Sequence, residues 1–450
     1  MRSARWWIAL ASGLLLAAVF PPFDLHWLCM PFAIAGWFAV TAGVPLRTAL
    51  WRSFAFAMAF YLVLLKWMLI VGIDAWILLA LLQSLYFLLV PIFRHRAGEW
   101  ALPVATIAWV TQDWLRDNAP FAAFGWGQLA FAKVDAPWAG LAPFGGQSVV
   151  TAIVVLAGCG LGSLVVGTPA HRLIGVGGAI LALAAPVLLP ANILGAPDGR
   201  RLALVQGGVE HTGLGFIGDR NAVLFRHRDL TEVALRGTDA IGIVWPENAA
   251  DSDPFTDQRA ARALHTAADA AGQPILFGAV LTEPSGRRNM SLLVRPRSTD
   301  LEPVYQKQRL VPFGEFLPMR DFLTRVTDRV QFLPIDFRPG NDPADLRLSG
   351  FRFGIVICFE IADQQLVSNA LATSQDALIV QTNNATYAAT GQSEQQLRIS
   401  QFRARMFRVP VYVVSTNGPT AIIDEQGRVT DRIAEGDSGV IYASLRRSRT

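Results

Sequence analysis

The amino-acid sequence predicts a polytopic α-helical membrane bundle joined to an α/β domain. Three observations lead there. Of 450 residues, 52% are hydrophobic and only 16% are charged, well to the apolar side of soluble proteins. The apolar excess is confined, with charges sparse from Trp6 to about Leu194 and at ordinary globular density from Arg200 onward. After Arg201, short β-rich runs alternate with helical windows, the pattern of an α/β domain. This shift in composition sets the domains at 1–195 and 200–445.

In the first domain, apolar runs near the length that crosses a bilayer core extend roughly from Trp6 to Phe20, Leu25 to Val44, Ala49 to Ile70 and Ala75 to Phe93. Others run from Leu102 to Trp114, Val149 to Val166 and Leu173 to Leu189. They predict about seven helices. The segment behind Arg2 and Arg5 has the charge pattern of a signal peptide. No small-residue cleavage site precedes Phe20-Pro21-Pro22, however, so a retained span is expected. Lys and Arg gather on the cytoplasmic side of membrane helices. Arg2 and Arg5, Arg47 and Arg52, Arg94 and Arg96, and Arg172 all fall on one side when the amino terminus is cytoplasmic. An odd number of spans then puts the second domain on the extracytoplasmic face. Lys66 falls inside the third run, where a charge needs a partner, a cavity or the headgroups. Gly125-Trp126-Gly127, near Phe121 and Phe124, has the aromatic content of an interfacial anchor.

In the second domain, strands are expected at Leu202 to Val205, Ala240 to Val244, Pro274 to Ala279, Ser291 to Val294, Phe353 to Ile357, Ala377 to Gln381 and Val411 to Ser415. Helices are expected at Arg220 to Leu235, Asp257 to Ala271 and Gln395 to Phe407. A net charge of +4 without like-charge blocks argues against nucleic acid as a partner. Cys29 and Cys159 sit in apolar stretches, which leaves Cys358 as the one cysteine of the polar half and excludes a disulfide framework. The six histidines are scattered without ligand spacing, so no metal or other cofactor is expected. His227 and Thr231, one helical turn apart, suit packing or capping.

Two apolar strands stop at reactive side chains. Ile241 to Val244 leads into Trp245-Pro246-Glu247-Asn248, and Phe353 to Ile357 leads into Cys358-Phe359-Glu360. Ligands of α/β sheets collect beyond the carboxyl ends of strands, where a Glu and a Cys can meet. A lone cysteine is by itself more often a packed thiol than a nucleophile. The third element is the Pro- and Gly-punctuated stretch from Tyr305 to Pro318, which holds Lys307 and Glu315.

These segments, in this order and behind a multi-span half, resemble apolipoprotein N-acyltransferase, a membrane member of the nitrilase superfamily. The resemblance also takes in Trp114-Leu115-Arg116, the stretch from Leu141 to Gly146, Val205-Gln206-Gly207, Asn383-Asn384-Ala385-Thr386 and Thr416-Asn417-Gly418. It implies a nitrilase-like α-β-β-α sandwich with Glu247 as catalytic base, Lys307 as oxyanion partner and Cys358 as nucleophile. Glu315 is expected to orient Lys307, and Glu360 to support the base or its loop; Trp245 and Phe359 flank the same positions. The implied reaction passes an acyl chain from a phospholipid, through a thioester on Cys358, to the α-amino group of a diacylglyceryl-cysteine on a lipoprotein. The implied setting is a monomer among the lipids of a bacterial inner membrane, with its catalytic domain outside the cytoplasm.

The chain departs from the family pattern in places. Phe359 stands where Tyr is common, Met406 where a Glu is expected, and Val409 where Arg is common. The family pattern leads one to expect a last apolar span, and Arg446-Arg447-Ser448-Arg449-Thr450 supplies none. A membrane-anchored amidase or acyl hydrolase with the same three residues, and a non-catalytic scaffold on the same fold, are the other readings.

Overall fold

A computed structural model describes residues 2–119, 124–184, 198–213, 221–284 and 286–447. The chain divides into two compact units, Met1–Ala191 with Thr390–Met406, and Asn192–Ala389 with Phe407–Thr450.

The first unit is helical, with α1 (Arg2–Ala17), α2 (Cys29–Thr41), α3 (Leu46–Leu64), α4 (Ile73–Phe87), α5 (Leu89–His95), α6 (Ala101–Asn118), α7 (Ala142–Val166) and α8 (Pro169–Ala184). Each expected apolar run carries a helix. The end of the last run, 185–189, lies outside the described residues, as does Phe121. Two stretches, Ile73–His95 and Pro137–Val166, are long and apolar enough to cross a membrane by length and composition. Helix α6 instead carries Gln112, Asp113, Arg116 and Asp117. Small residues bring helix backbones close: a Cβ on Gly158 of α7 would lie 2.5 Å from Ile34 of α2, and one on Gly162 would lie 2.8 Å from the Ala35 carbonyl.

Three expectations change here. Lys66 is not inside a long span: it follows α3 in a short 3-10 turn, Lys66–Ile70, and is exposed. Trp126 is not an interfacial anchor but 3% exposed, its indole N–H donating to Gln395 Oε1 at 2.7 Å. The helix Gln392–Phe407, read from the sequence with the second half, groups with the first unit through Met406. Its Gln395 amide also donates to the carbonyls of Pro21 and Leu64, and its Arg403 donates to Gln147 Oε1 at 2.7 Å. The Met406 sulfur lies 3.5 Å from Arg403 Nη1.

In the second unit the order is β1 (Arg201–Gln206), α9 (Ala222–Ala234), β2 (Ile243–Val244), α10 (Gln258–Ala271), β3 (Ile275–Glu283), β4 (Gly286–Val294) and β5 (Leu301–Gln306). There follow α11 (Arg320–Val326), β6 (Leu346–Leu348), β7 (Phe351–Ile357), α12 (Gln364–Ala370), β8 (Ala377–Thr382), β9 (Val411–Ser415), β10 (Thr420–Ile423), β11 (Val429–Ile433) and β12 (Gly439–Ser444). Two six-stranded sheets form, ordered β12-β1-β2-β3-β4-β5 and β11-β10-β9-β8-β7-β6. Each has a parallel centre, β1-β2-β3 or β7-β8-β9, with antiparallel strands outside it.

Side chains alternate across a strand, and the alternation assembles the layers. Leu202 and Leu204 of β1 join Phe353, Ile355 and Ile357 of β7 in the core between the sheets. Ala203 and Val205 face the other way, into a second core with Leu224 of α9 and Leu264 of α10. Helix α10 starts where Asp257 Oδ1 accepts from Arg259 N at 2.9 Å, and it stops at Gly272, whose φ of 69° suits glycine. The expected strand from Ala240 shrinks to Ile243–Val244, while the Ser291 strand lengthens back to Gly286.

Candidate active site

Each of the three expected catalytic residues follows the end of a strand. After β2 the chain turns through Trp245-Pro246 to Glu247. Gly278 of β3 makes room for that turn, since a Cβ there would lie 2.6 Å from Glu247 Cα and 2.7 Å from the Pro246 carbonyl. Lys307 follows β5 directly, its N–H donating to the Asn289 carbonyl at 2.9 Å and its carbonyl accepting from Gly340 N at 2.8 Å. Cys358 follows β7 with φ at 54° and opens a 3-10 turn, Cys358–Ala362. A left-handed backbone at a residue with a side chain is strained and needs surrounding structure to hold it.

Charge converges here. Lys307, 1% exposed, donates from Nζ to Glu247 Oε1 at 3.2 Å and to Glu315 Oε1 at 2.8 Å. The Asn289 amide donates to the same two oxygens, at 2.8 and 3.0 Å. Glu247 Oε2 accepts from Asn383 N at 2.9 Å, and Glu315 Oε2 accepts from Val311 N at 2.8 Å. Cys358 is partly exposed as a residue, and its thiol is in electrostatic reach of Glu247, Lys307 and Glu315 and hydrogen-bonds to the Thr382 side chain. Burial, then the Glu247 charge, push the thiol up to about 12, with Lys307 pulling the other way. Burial alone would lower the Lys307 ammonium, but Glu247 and Glu315 outweigh it and raise it well above its ordinary value. The resting pair is therefore a neutral thiol beside a firmly protonated lysine. Such a thiol needs a base at the moment of attack.

Glu360 does not face the lysine ammonium as a hydrogen-bond partner. Its Oε1 accepts from Gln308 N at 2.6 Å and Arg309 N at 2.9 Å, and its Oε2 accepts from Ile357 N at 2.7 Å and the Tyr305 hydroxyl at 2.9 Å. One carboxylate thus ties the residue before Cys358 to the residues around Lys307. Burial pushes Glu360 up to about 7, against backbone N–H groups that favour its ionised form. Phe359 is buried at 8% exposure. The Trp245 indole is fully buried in the outer core and donates to Thr231 Oγ1 at 3.1 Å; only its carbonyl faces toward β8, accepting from Gln381 Nε2 at 2.6 Å.

Sequence reasoning missed Asn289, Thr382 and Tyr387. Asn289 left a trace, as a polar residue followed on the same strand face by Ser291 and then by Leu293 of the core between the sheets. Burial, then the Cys358 charge, push the Tyr387 phenol up to about 12. Among the described residues, no three His, Cys, Asp or Glu side chains gather as metal ligands.

Residues 12–160 match the family model for the apolipoprotein N-acyltransferase N-terminal domain, and residues 201–450 match that for carbon-nitrogen hydrolases. The chain is 30% identical to apolipoprotein N-acyltransferase of Mycolicibacterium smegmatis, with 94% of this chain and 77% of the relative covered. It is 28% identical to that of Pseudomonas syringae pv. tomato, over 97% of this chain and 90% of the relative. Among solved structures, XC1258 of Xanthomonas campestris, a CN-hydrolase superfamily protein, is 16% identical with a TM-score of 0.42, covering 55% of this chain and 90% of that one.

Proposed function

The chain belongs to the apolipoprotein N-acyltransferase family, and from that premise we propose that Cys358 carries an acyl chain from a phospholipid to the α-amino group of a diacylglyceryl-cysteine on a lipoprotein. The observation that carries this reading is the meeting of Glu247, Lys307 and the Cys358 thiol at strand ends of two facing sheets.

In the first half-reaction Glu247 takes the thiol proton as sulfur attacks the ester carbonyl. Lys307 and a backbone N–H at the start of the Cys358 turn hold the oxyanion. Collapse breaks the ester C–O bond, the proton returns from Glu247 to the departing oxygen, and a lysophospholipid leaves. In the second half the lipoprotein amine attacks the thioester, gives its proton to Glu247, and the amide forms as the sulfur leaves and is reprotonated. A thioester reacts readily with amines, which suits the transfer provided bulk water is kept away. Glu315 and Asn289 hold Lys307 and Glu247 in register.

Residues 1–195 form the membrane domain, with Ile73–His95 and Pro137–Val166 as its plainest spans. Residues 200–445 form the catalytic domain, on the extracytoplasmic face by the distribution of basic residues. Both substrates carry long acyl chains, so a catalytic domain tied to membrane helices meets them where they reside.

The test supplies the full-length protein in phospholipid vesicles with a diacylglyceryl-cysteine peptide. Amide product and lysophospholipid in equal amounts are expected. Free fatty acid without amide would overturn the reading in favour of an acyl hydrolase.

A further inference from the structure

The reacting groups come from different sheets. Glu247 and Lys307 follow strands of the first, and Cys358 and Thr382 belong to strand ends of the second. Their separation therefore depends on the spacing and slide of two sheets whose shared interior is apolar, and apolar packing has little directional preference. Polar links cross between the sheets at several points, with Gln206 Oε1 accepting from Thr420 N at 3.0 Å, Glu360 from the Tyr305 hydroxyl at 2.9 Å and the Glu247 carbonyl from Thr416 Oγ1 at 2.9 Å, and a further one runs through Gln381. Ser291 Oγ of β4 meets Gln381 Oε1 of β8 at 2.5 Å, and Gln381 Nε2 donates to the Trp245 carbonyl beyond β2 at 2.6 Å. Ser291, Gln381 and Trp245 are all 0% exposed.

The position of Gln381 is telling. Along β8, Ala377 and Ile379 share its face and belong to the apolar core between the sheets, so a Leu or Met there would continue the pattern. A buried amide costs free energy unless its groups are bonded, and both ends of this one are. Gln381 stands next to Thr382, which touches the Cys358 sulfur, and its donor holds Trp245, two residues before Glu247. A second short link lies alongside, from Asn383 N to Glu247 Oε2 at 2.9 Å.

We propose that Gln381, oriented by Ser291, is a positioning residue that fixes the Glu247 turn against the Cys358 end of the facing sheet. It touches no substrate. Without it the sheets remain packed, but the base and the thiol lose their register, and a misplacement near 1 Å costs about 10²-fold in rate. The inference deepens the acyl-transfer reading and rests on it for the reaction concerned, while the geometry itself can be tested on the thiol alone.

The experiment compares parent, Ser291→Ala and Gln381→Leu as full-length proteins, following iodoacetamide alkylation of the Cys358 peptide by mass spectrometry across pH, together with thermal unfolding. Phospholipid acylation of Cys358 is then timed in the same samples. Gln381→Leu is expected to lower the alkylation midpoint toward that of an ordinary thiol, as the sulfur loses its closed setting, and to slow acylation by about 10²-fold. Ser291→Ala, which leaves the bond to Trp245 in place, is expected to do both to a smaller degree. An unmoved alkylation profile in Gln381→Leu, with or without lower thermal stability, overturns the positioning role. A shifted profile with no acylation of the parent upholds it and counts instead against the phospholipid as donor.

Discussion

In the first unit, two buried arginines, Arg94 and Arg52, end on backbone carbonyls, and Arg94 also on rings. Arg94 donates to the Thr41 carbonyl at 2.6 Å and lies over Trp37 and Phe38, 5.1 and 5.0 Å from their centroids. Arg52 donates to the Val40 carbonyl at 2.6 Å; Arg116 stands apart from these two, donating to the Trp126 carbonyl at 2.7 Å with Asp113 at 3.7 Å. In the second unit Lys307 instead meets two carboxylates whose same oxygens are shared by Asn289, with a thiol alongside. A cation closed by carbonyls and rings holds helices together and has no proton to exchange with its partners. A cation between carboxylates, beside a weak nucleophile, has the charge arrangement that acyl transfer requires.

That contrast can be broken or sharpened by substitution. Cys358→Ala is expected to abolish amide formation outright in the vesicle assay while leaving unfolding unchanged within about 1 kcal/mol. Lys307→Met strands Glu247 and Glu315 together without their cation. It is expected to reduce single-turnover acylation by at least about 10³-fold and to destabilise the second unit by about 3–5 kcal/mol, read by denaturant unfolding. Gly278→Ala presses a methyl group onto the backbone of the Glu247 turn, and about 10²-fold slower acylation with a destabilisation of about 1–3 kcal/mol is expected, read by denaturant unfolding. Arg94→Met, in contrast, is expected to lower the thermal midpoint of the first unit and to leave the acylation rate of folded protein at the parent value. A large rate loss there would erase the distinction between the two kinds of buried cation.

The smallest effect concerns pH. His227 Nε2 accepts from Gly207 N at 3.0 Å and Nδ1 lies 2.8 Å from the Val223 carbonyl, so the neutral ring fits the fold. Burial lowers it from 6.5 to about 4. The unfolded chain thus binds the proton more tightly, and the histidine's stabilisation is complete above about pH 6.5 and drains away as pH falls toward 4. The loss amounts to about 3 kcal/mol at most. Glu360, pushed up to about 7, works in the opposite sense over the same range, so the His227 contribution is read as a difference: the stability of the parent relative to His227→Gln is expected to fall between pH 7 and 5.

Much of this molecule can be read before folding. The seven apolar runs announced helices, and the strands leading to Glu247 and Cys358 announced side chains that meet at strand ends, because periodicity and strand-end placement are local properties. Lys307 and Glu315 were visible through their Pro- and Gly-rich segment. What stayed hidden depends on facing sheets. Asn289 joins Glu247 to Glu315 only after β4 pairs with β5, and Glu360 clamps Gln308 and Arg309 only across the sandwich. The strands β6 and β10, of three and four residues, lack a run long enough to stand out, β11 carries Asp431 and Arg432, and β12 opens on Gly439; pairing with β7, β9, β10 and β1 respectively is what makes them strands. Trp126 was misread because an aromatic beside glycines suits both a membrane surface and a packed core, and its partner Gln395 lies 269 residues away.

The most direct measurement is the intact mass of the protein after brief exposure to phospholipid without any amine acceptor. One added acyl mass, mapped to the Cys358 peptide and discharged when a diacylglyceryl-cysteine peptide is added, is the expected result. A folded protein that stays unmodified at Cys358, or that forms the amide product while an alanine occupies that position, would contradict it.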